Sequence, residues 1–188
     1  LWQHHFGQAL VRTPNNFGFK SDPPTHPKLL DWLAAEFMEP TVAGGEPWTL
    51  KRLHKLIMTS DSYRQQSIHP KETDYTDRDF LNRNWWKFNR HRLNSESLRD
   101  AMLSVSGRLN LKMGGPSFYP KMSSEALEGL SRKSSDWKDS TPGEQSRRSI
   151  YMMTKRSRLL PLMTAFDFSD TTITCGQRDV TIVAPQAL

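Results

Sequence analysis

The amino-acid sequence predicts a mainly α fold: an irregular helical domain with long loops and at most one or two short strands. Apolar residues recur at helical spacing in three segments, 27–38, 50–60 and 95–106. Gly, Pro, Asn and Ser, which suit turns, separate these segments. Strand-like sequence is scarce, because only IYMMT at 150–154 and DVTIVAP at 179–185 suit extended backbone.

The first predicted helix lies in THPKLLDWLAAEFMEP. Thr25 is placed to cap its N-terminus, and Pro27 suits the first turn, where a missing backbone N–H costs little. Pro40 ends the segment. One apolar stripe with spacings of three and four residues runs along it, formed by Leu30, Leu33, Ala34 and Phe37.

Two more helices follow the same logic. Thr49 is the expected cap of the second, in which Leu50, Leu53 and Ile57 share a face. Asn94 is the expected cap of the third, with Leu93 and Leu98 spaced as a hydrophobic staple and Gly107 as the stop. The third stripe is Leu98, Ala101, Met102 and Val105. We expect one shared core, formed by Leu30, Leu33, Phe37, Leu53, Ile57, Leu98, Met102 and Val105.

The remaining segments are less regular. LWQHHFGQALV is expected to be buried and to continue a helix that begins before Leu1, so we interpret 1–188 as a single truncated domain. Residues 110–146 are rich in Gly, Ser, Pro and Lys and predict a flexible or variable loop region, with a short helix near Ser124–Leu130. LLPLMTAFDF predicts a short helix broken by Pro161.

Charge and cysteine content narrow the classes of function. The net charge is +6, and the whole excess lies in residues 63–188, because residues 1–62 hold equal numbers of acidic and basic side chains. This bias can attract acidic partners, but it is weaker than the dense Lys/Arg stripe of a nucleic-acid binder. Cys175 is the only cysteine, which excludes an internal disulfide and a cysteine metal cluster. No apolar run approaches the roughly 20 residues that span a bilayer.

The run NWWKFNRHR, residues 84–92, follows the polar and presumed exposed stretch HPKETDYTDRDF and allows two interpretations. Its aromatic and basic residues suit base stacking and phosphate contacts. Trp85 and Phe88 would share one helical face, however, and Asp77 and Asp79 offset the local positive charge. We therefore favour a hinge whose aromatic residues face inward against the helix that begins after Asn94.

Candidate chemical groups are few. His4, His5 and His26 invite a metal interpretation, but neighbouring helical residues point about 100° apart, so a structural role is favoured. Asp31 with His26 could form half of an acid–base pair, and Cys175 has no neighbouring histidine in the sequence. We assign no catalytic residue, no metal ligand and no cofactor to this chain.

RRSIYMMTKRSR is basic and contains no acidic residue. Unpaired arginines bind planar anions well, so this run is a candidate anion- or partner-binding patch, although a strand flanked by solvated or internally paired arginines remains the simpler interpretation. The candidate residues are Arg147, Arg148, Lys155, Arg156 and Arg158.

Successive blocks of the sequence resemble one family, the planctomycete-type domain of unknown function 1553, over essentially the whole chain. The blocks are LWQHHFGQALVRTPNNFG, PPTHPKLLDWLAAEF, WTLKRLHKLIMTSDSYRQ, NRHRLNSESLRDAMLSVSGRLN, GGPS, RRSIYMMTKRS, FDFSD and RDVTIVAPQAL. The resemblance implies the C-terminal part of a large exported protein, located in the periplasm or at the cell surface. It also implies that any haem c lies in an upstream domain, since no Cys-x-x-Cys-His occurs here.

The family establishes no catalytic residue. Its recurrent charged positions match Arg147, Arg148 and Arg156 of the basic run, and six further residues that are candidates for a structural ion-pair network. These six are Arg92, Glu96, Arg99, Asp100, Asp167 and Arg178. Spacings of three and four residues suit local ion pairs between Glu96 and either Arg92 or Arg99.

The expected function is therefore a non-catalytic interaction or scaffold module of a large exported multidomain protein. Its expected partners are other domains of the same polypeptide, with an acidic protein or a polysaccharide as further candidates. One alternative is an enzyme domain that acts on polysaccharide or works beside an upstream cytochrome c-like domain. The second alternative is a nucleic-acid-binding module, although nucleic acid is not an expected partner.

Overall fold

The computed structural model describes residues 1–42, 44–123, 137–156 and 159–187, which form helices and loops. The helices are α1 (Trp2–Phe6), α2 (Pro27–Met38), α3 (Leu50–Met58), α4 (Asp61–Arg64), α5 (Glu72–Arg78), α6 (Ser95–Val105), α7 (Pro142–Gln145) and α8 (Pro161–Ala165). Short 3-10 turns occur at Ser149–Tyr151 and Ala184–Ala187. Isolated parallel bridges join Asn110 to Arg147 and Phe118 to Met152, and no sheet forms within the described ranges. The predicted fold class is confirmed.

The chain divides into two compact units, Leu1–Arg92 and Leu93–Leu188, called unit 1 and unit 2 below. Each has its own buried residues. That residues 1–188 form a single truncated domain stays a prediction.

The three predicted helices appear as α2, α3 and α6 with almost the predicted bounds. Asn94 caps α6 as predicted, because its side chain accepts a hydrogen bond from the Ser97 N–H at 2.8 Å. Thr25 does not cap α2: His26 is the N-cap residue, and the Thr25 hydroxyl donates to the Leu10 carbonyl oxygen at 3.3 Å. A threonine hydroxyl serves equally well as a loop donor, and spacing alone does not distinguish the two uses.

Four local predictions need correction or comment. The polar stretch before the basic-aromatic run forms α5, whose first turn carries Glu72 and Asp74, favourable at a helix N-terminus. Pro161 begins α8 instead of breaking it, because proline fits the first helical position. IYMMT contains a 3-10 turn in place of a continuous strand. The short helix predicted at 124–130 lies outside the described residues.

Unit 1 has an aromatic core. Its buried members are Phe6, Leu53, Ile57 and Trp85, and the partly buried residues packed on them are Trp2, Leu33, Phe37, Leu56, Tyr63 and Phe88. The Phe6 ring stacks on the Trp2 ring with a centroid distance of 4.2 Å, and its centroid lies 4.9 Å from that of Trp85. Aromatic rings in such contact attract each other. The stripes of α2 and α3 therefore meet as predicted, except that Leu30 is 37% exposed.

The face that α6 of unit 2 covers differs from the predicted one. Met102 is 55% exposed and Val105 is 91% exposed, so the prediction that they join a buried core is wrong. Leu98 is half-buried. The covered face carries polar residues instead, with Ser95 fully buried and Arg99 half-buried. Loops packed on that face supply hydrogen-bond partners, which offset the cost of removing polar groups from water.

Candidate functional site

Arg147 is fully buried and organises one loop of unit 2. Its guanidinium donates to three backbone carbonyl oxygens in residues 112–116 and to the Glu144 carboxylate at 3.1 Å. Its central carbon lies 4.1 Å from the centroid of the Tyr151 ring. A guanidinium offers five N–H donors in a rigid fork, so one side chain can tie together a loop that has no regular backbone ladder.

Arg99 and Asp100 of α6 bind residues 145–149, the segment that contains Arg147. Arg99 donates to the backbone carbonyls of Gln145 and Arg147 and to the Ser149 hydroxyl. One oxygen of Asp100 accepts both the backbone N–H and the hydroxyl of Ser149, each at 2.7 Å. Burial lowers the pKa of Arg99, with Asp100 opposing the shift. These contacts connect α6 to residues 145–149.

Two carboxylates, those of Glu96 and Asp167, bind the C-terminal segment of unit 2. Arg178 makes a bidentate ion pair with Glu96 of α6, with N–O distances of 2.6 and 2.8 Å. Burial is the largest single effect and raises the pKa of Glu96, but Arg178 and the hydrogen bonds from the backbone and from Ser95 together outweigh it and hold this pKa below its ordinary value. The Asp167 carboxylate accepts the backbone N–H and the hydroxyl of Thr181 at 2.9 and 2.7 Å.

The candidate network residues are therefore distributed as follows. Glu96 pairs with Arg178, and not with the helical neighbour Arg99 that the spacing suggested. Arg99 lies 3.7 Å from Asp100, its neighbour in the chain. Arg92 is half-buried. The Glu96–Arg178 contact spans 82 positions, so local spacing could not have indicated it.

The residues of the candidate anion patch are not equivalent. Arg147 lies in the interior of unit 2, so it is not part of an open surface. The Arg148 side chain is 51% exposed and stands 3.9 Å from Asp100. Lys155 is half-buried, Arg156 is exposed, and Arg158 lies outside the described residues. Among the patch residues that the structure describes, Arg148 and Arg156 are therefore the exposed ones, with Lys155 beside them in the sequence.

The basic-aromatic run of unit 1 keeps most of its side chains occupied. Trp85 is 8% exposed, as predicted, but its ring meets Trp2 and Phe6 in the core of unit 1. That it packs against α6 stays a prediction. Trp86 stacks on Tyr75 at 5.4 Å. Lys87 forms an ion pair with Glu72 at 2.6 Å, and this contact lowers the pKa of Glu72. Burial, stacking and ion pairing thus occupy Trp85, Trp86 and Lys87, whereas Arg90 of the same run is exposed.

The histidines form a pair that the sequence did not reveal. His5 Nε2 lies 2.7 Å from His54 Nδ1, so one ring donates to the other across α1 and α3. Burial and the neighbouring His54 lower the pKa of His5. His4 is exposed. In the part of the chain that the structure describes, no group of three or more His, Cys, Asp or Glu residues is arranged to hold a metal ion.

The candidate acid–base and thiol groups are ordinary surface groups. His26 makes its hydrogen bond with the Thr25 hydroxyl at 3.1 Å, and Asp31 is exposed on α2. The exposed Cys175 thiol donates to the Gln177 carbonyl oxygen at 3.0 Å.

Glu36 is a buried carboxylate that sequence reasoning missed. It is 2% exposed and accepts hydrogen bonds from Thr41, from the Val42 N–H and from Arg52 at 2.9 Å. The hydrogen bond from the Thr41 side chain is the main reason that the pKa of Glu36 is lowered, and burial opposes it. A Cβ at Gly45 would lie 2.8 Å from Arg52, so the loop also needs glycine there.

Two concave surfaces flank α3 within unit 1. One is an apolar groove of about 410 Å³, to which Trp2, Leu33 and Ile57 contribute. The other is an open cleft of about 770 Å³ formed by α3 and the loop before it, where Glu46, Lys51 and other polar residues line the wall. Volumes of this size suit small or extended ligands.

Fold and site together define a class: a mainly helical domain whose loops are held by buried arginine–carboxylate and arginine–carbonyl contacts. The chain belongs to the family described as PSD1, protein of unknown function (DUF1553), because the family model matches residues 1–188. This confirms the resemblance found in the sequence. No curated protein and no solved structure matches the chain. Among the described residues, no helix has both the length and the apolar character that crossing a membrane requires.

Proposed function

We propose that this chain is a non-catalytic interaction or scaffold module of an exported multidomain protein. One observation carries the proposal: the buried and half-buried charged side chains of unit 2, Arg99, Asp100 and Arg147, are occupied by their own chain. Arg147, Arg99 and Asp100 direct their donors and acceptors at backbone groups and at Ser149. A catalytic acid, base or nucleophile must instead face a substrate, within hydrogen-bonding reach of it.

The cleft beside α3 supports binding over hydrolysis. Glycoside hydrolysis ordinarily uses two carboxyl groups that face each other across the scissile bond. Glu46 is the single carboxylate among the described residues that line this cleft. The described lining of this cleft therefore lacks the pair of carboxyl groups that the enzyme alternative requires.

Within the basic-aromatic run, residues 84–92, the nucleic-acid alternative lacks a stacking platform. Such a platform needs two or more open aromatic faces on a basic surface. Trp85 is buried, and Trp86 stacks on Tyr75 and has the Lys87 ammonium 4.6 Å from its ring centroid.

Partners and location belong to the same proposal. The partners are other domains of the parent polypeptide, with an acidic protein or a polysaccharide as further ligands. The location is extracytoplasmic, and any haem c lies in an upstream domain, as the family resemblance implies. Separately produced upstream domain is expected to co-elute with the chain in size-exclusion chromatography.

The decisive experiment measures turnover. The purified chain is incubated with neutral and acidic polysaccharides, and the release of reducing ends is followed. We expect no release above the buffer control. Release that Glu46→Gln or Asp100→Asn abolishes, while the thermal unfolding of the variant stays unchanged, would contradict the non-catalytic proposal.

A further inference from the structure

Four of the eight methionines of the chain line one small cavity in unit 2. Met163 of α8 is fully buried and Met122 is 7% exposed, so both side chains are withdrawn from solvent. Met152 and Met153 are half-buried. The cavity therefore gathers all the methionines that are not on the surface. The exposed ones are Met38, Met58, Met102 and Met113.

The side chains around this cavity select one class of ligand. Its described lining holds no carboxylate, imidazole or thiol, and Thr154 is the residue there that carries a hydroxyl. Magnesium and calcium ions prefer oxygen ligands, and zinc prefers thiolate, imidazole or carboxylate. Thioethers are soft ligands, which suit Cu⁺. The lining therefore favours a soft monovalent cation over the common divalent ions.

The size of the cavity sets a second limit. Its volume is about 10 Å³, close to the smallest space that holds one water molecule. Small organic ligands need a few hundred Å³, so they are excluded, whereas a single ion fits. Because Met152 and Met153 are only half-buried, the wall of the cavity reaches solvent at these side chains, and an ion can enter there.

Backbone geometry limits how many of the sulfurs can meet one ion. Met152 has extended backbone, with a φ of -74° and a ψ of 130°, so its side chain and that of Met153 point to opposite sides. One of these two neighbours can therefore join Met122 and Met163, which gives three thioethers. Filling irregular gaps is the ordinary role of a buried methionine, but a core filled in this way should leave no space among the side chains.

Trp137 adds an aromatic ring that attracts cations. Its indole N–H donates to the Pro120 carbonyl oxygen at 3.0 Å, which fixes the ring in the wall of the cavity. The Lys155 ammonium lies 5.4 Å from the centroid of this ring, a favourable contact between a cation and an aromatic face. The charge of Lys155 also opposes a second cation nearby, so the sulfurs have to supply most of the affinity.

We propose that this cavity binds Cu⁺ through the thioether sulfurs of Met122, of Met163 and of one of the pair Met152 and Met153. The ion enters and leaves as Cu⁺, so no electron is transferred. A bound ion stabilises the folded state over the unfolded chain, because the unfolded chain does not bring these methionines together. The inference is independent of the proposed scaffold role, since it requires no turnover and no partner domain.

Calorimetric titration with Ag⁺ tests the proposal, because Ag⁺ shares the preference of Cu⁺ for soft ligands and is stable in air. The protein is the Cys175→Ser variant in a chloride-free nitrate buffer, so that the exposed thiol does not bind the probe. We expect one Ag⁺ per chain, with a dissociation constant of about 1 µM or tighter. Met122→Leu/Met163→Leu, which nearly conserves side-chain volume, should weaken binding at least about tenfold. An anaerobic competition for Cu⁺ against bicinchoninate repeats the comparison with the proposed ion itself.

A matched control and a second measurement separate the cavity from methionine in general. Met102→Leu/Met113→Leu removes two exposed thioethers of unit 2 and should leave the affinity within about twofold of the parent protein. Labelling the methionine methyl groups with carbon-13 locates the ion by NMR. The signals of Met122, Met163 and one further methionine should shift when Ag⁺ is added, and those of Met102 and Met113 should not. Circular dichroism at increasing temperature verifies that every variant is folded.

Three results would overturn the inference. They are failure of the folded Cys175→Ser protein to bind Ag⁺, equal losses of affinity in the cavity and control variants, and displacement of Ag⁺ by an about tenfold excess of Zn²⁺, which thioethers bind poorly. If Met122→Leu/Met163→Leu does not fold, the methyl signals of the Cys175→Ser protein decide alone. Shifts confined to Met102 or Met113 would then place the ion on the surface and refute the cavity site.

Discussion

Replacing Arg147 by alanine is expected to cost this domain much of its stability. The side chain is 0% exposed, and its removal leaves three carbonyl oxygens of residues 112–116 and the Glu144 carboxylate without their donor. Four hydrogen bonds at roughly 1 kcal/mol net each give a loss of about 4 kcal/mol. Glu144 keeps its ion pair with Lys112 at 2.8 Å, so the three carbonyl oxygens bear most of this loss.

The Arg147→Lys variant separates the contribution of the positive charge to stability from that of the planar guanidinium. A lysine keeps the positive charge but lacks the planar fork, so it can serve only part of the acceptor set. We expect it to lose about 2 kcal/mol, half of the alanine effect, because roughly half of the hydrogen bonds remain possible. This variant also keeps the test informative if Arg147→Ala fails to fold.

Urea denaturation followed by tryptophan fluorescence measures both losses as free energies of unfolding. The matched control is Arg148→Ala, the adjacent arginine, whose side chain is 51% exposed and whose carboxylate neighbour lies 3.9 Å away. An exposed pair of this kind should contribute less than about 1 kcal/mol. If the Arg147 and Arg148 variants lose the same stability, the buried contacts do not hold the loop and the reasoning is wrong.

Three further predictions concern titration and nucleic acid. The folded pKa of Glu96 lies below its ordinary 4.5, so the stability contributed by its pair with Arg178 should be present above pH 4.5 and lost as pH falls through the folded pKa. Glu96→Gln should flatten that part of a plot of melting temperature against pH. The pKa of His5 is lowered from 6.5, so the unfolded chain binds that proton more readily, and stability should fall as pH drops below 6.5. His5→Gln should reduce this dependence, and a melting profile identical to the wild type would count against the pair with His54. Single-stranded oligonucleotide should bind weakly and lose binding with salt equally in the wild type and in Trp86→Ala; submicromolar binding that the variant loses would instead restore the stacking interpretation.

The sequence alone determined where the three longest helices, α2, α3 and α6, form. Short-range rules govern helix formation. We could therefore predict α2, α3 and α6 from their apolar spacing, and the ends of α6 from Asn94 and Gly107. The same rules missed α5, because a polar helix has no apolar stripe to mark it. The family could also be recognised from the sequence, because its blocks follow one another in order along the chain.

Only part of the candidate site could be predicted from the sequence. Lys51 and Lys55 appear in the sequence as an ordinary charged helix face, and GGEPW appears as an ordinary turn. Neither pattern tells that the two segments line one cleft. A concave surface forms only after the loop and the helix have taken their places.

Tertiary structure decided which face of each helix is covered and which charges are paired. The apolar stripe of α6 is exposed at Met102 and Val105, because loops rich in backbone carbonyls and hydroxyls cover its polar face instead. Glu36 finds Arg52, and Glu96 finds Arg178, across 16 and 82 positions. A buried charge is stable only beside a partner that replaces its lost water, and the chain supplies that partner from wherever folding brings it. Local sequence sets the helices, whereas the requirement to satisfy buried charges acts over distances that no local pattern records.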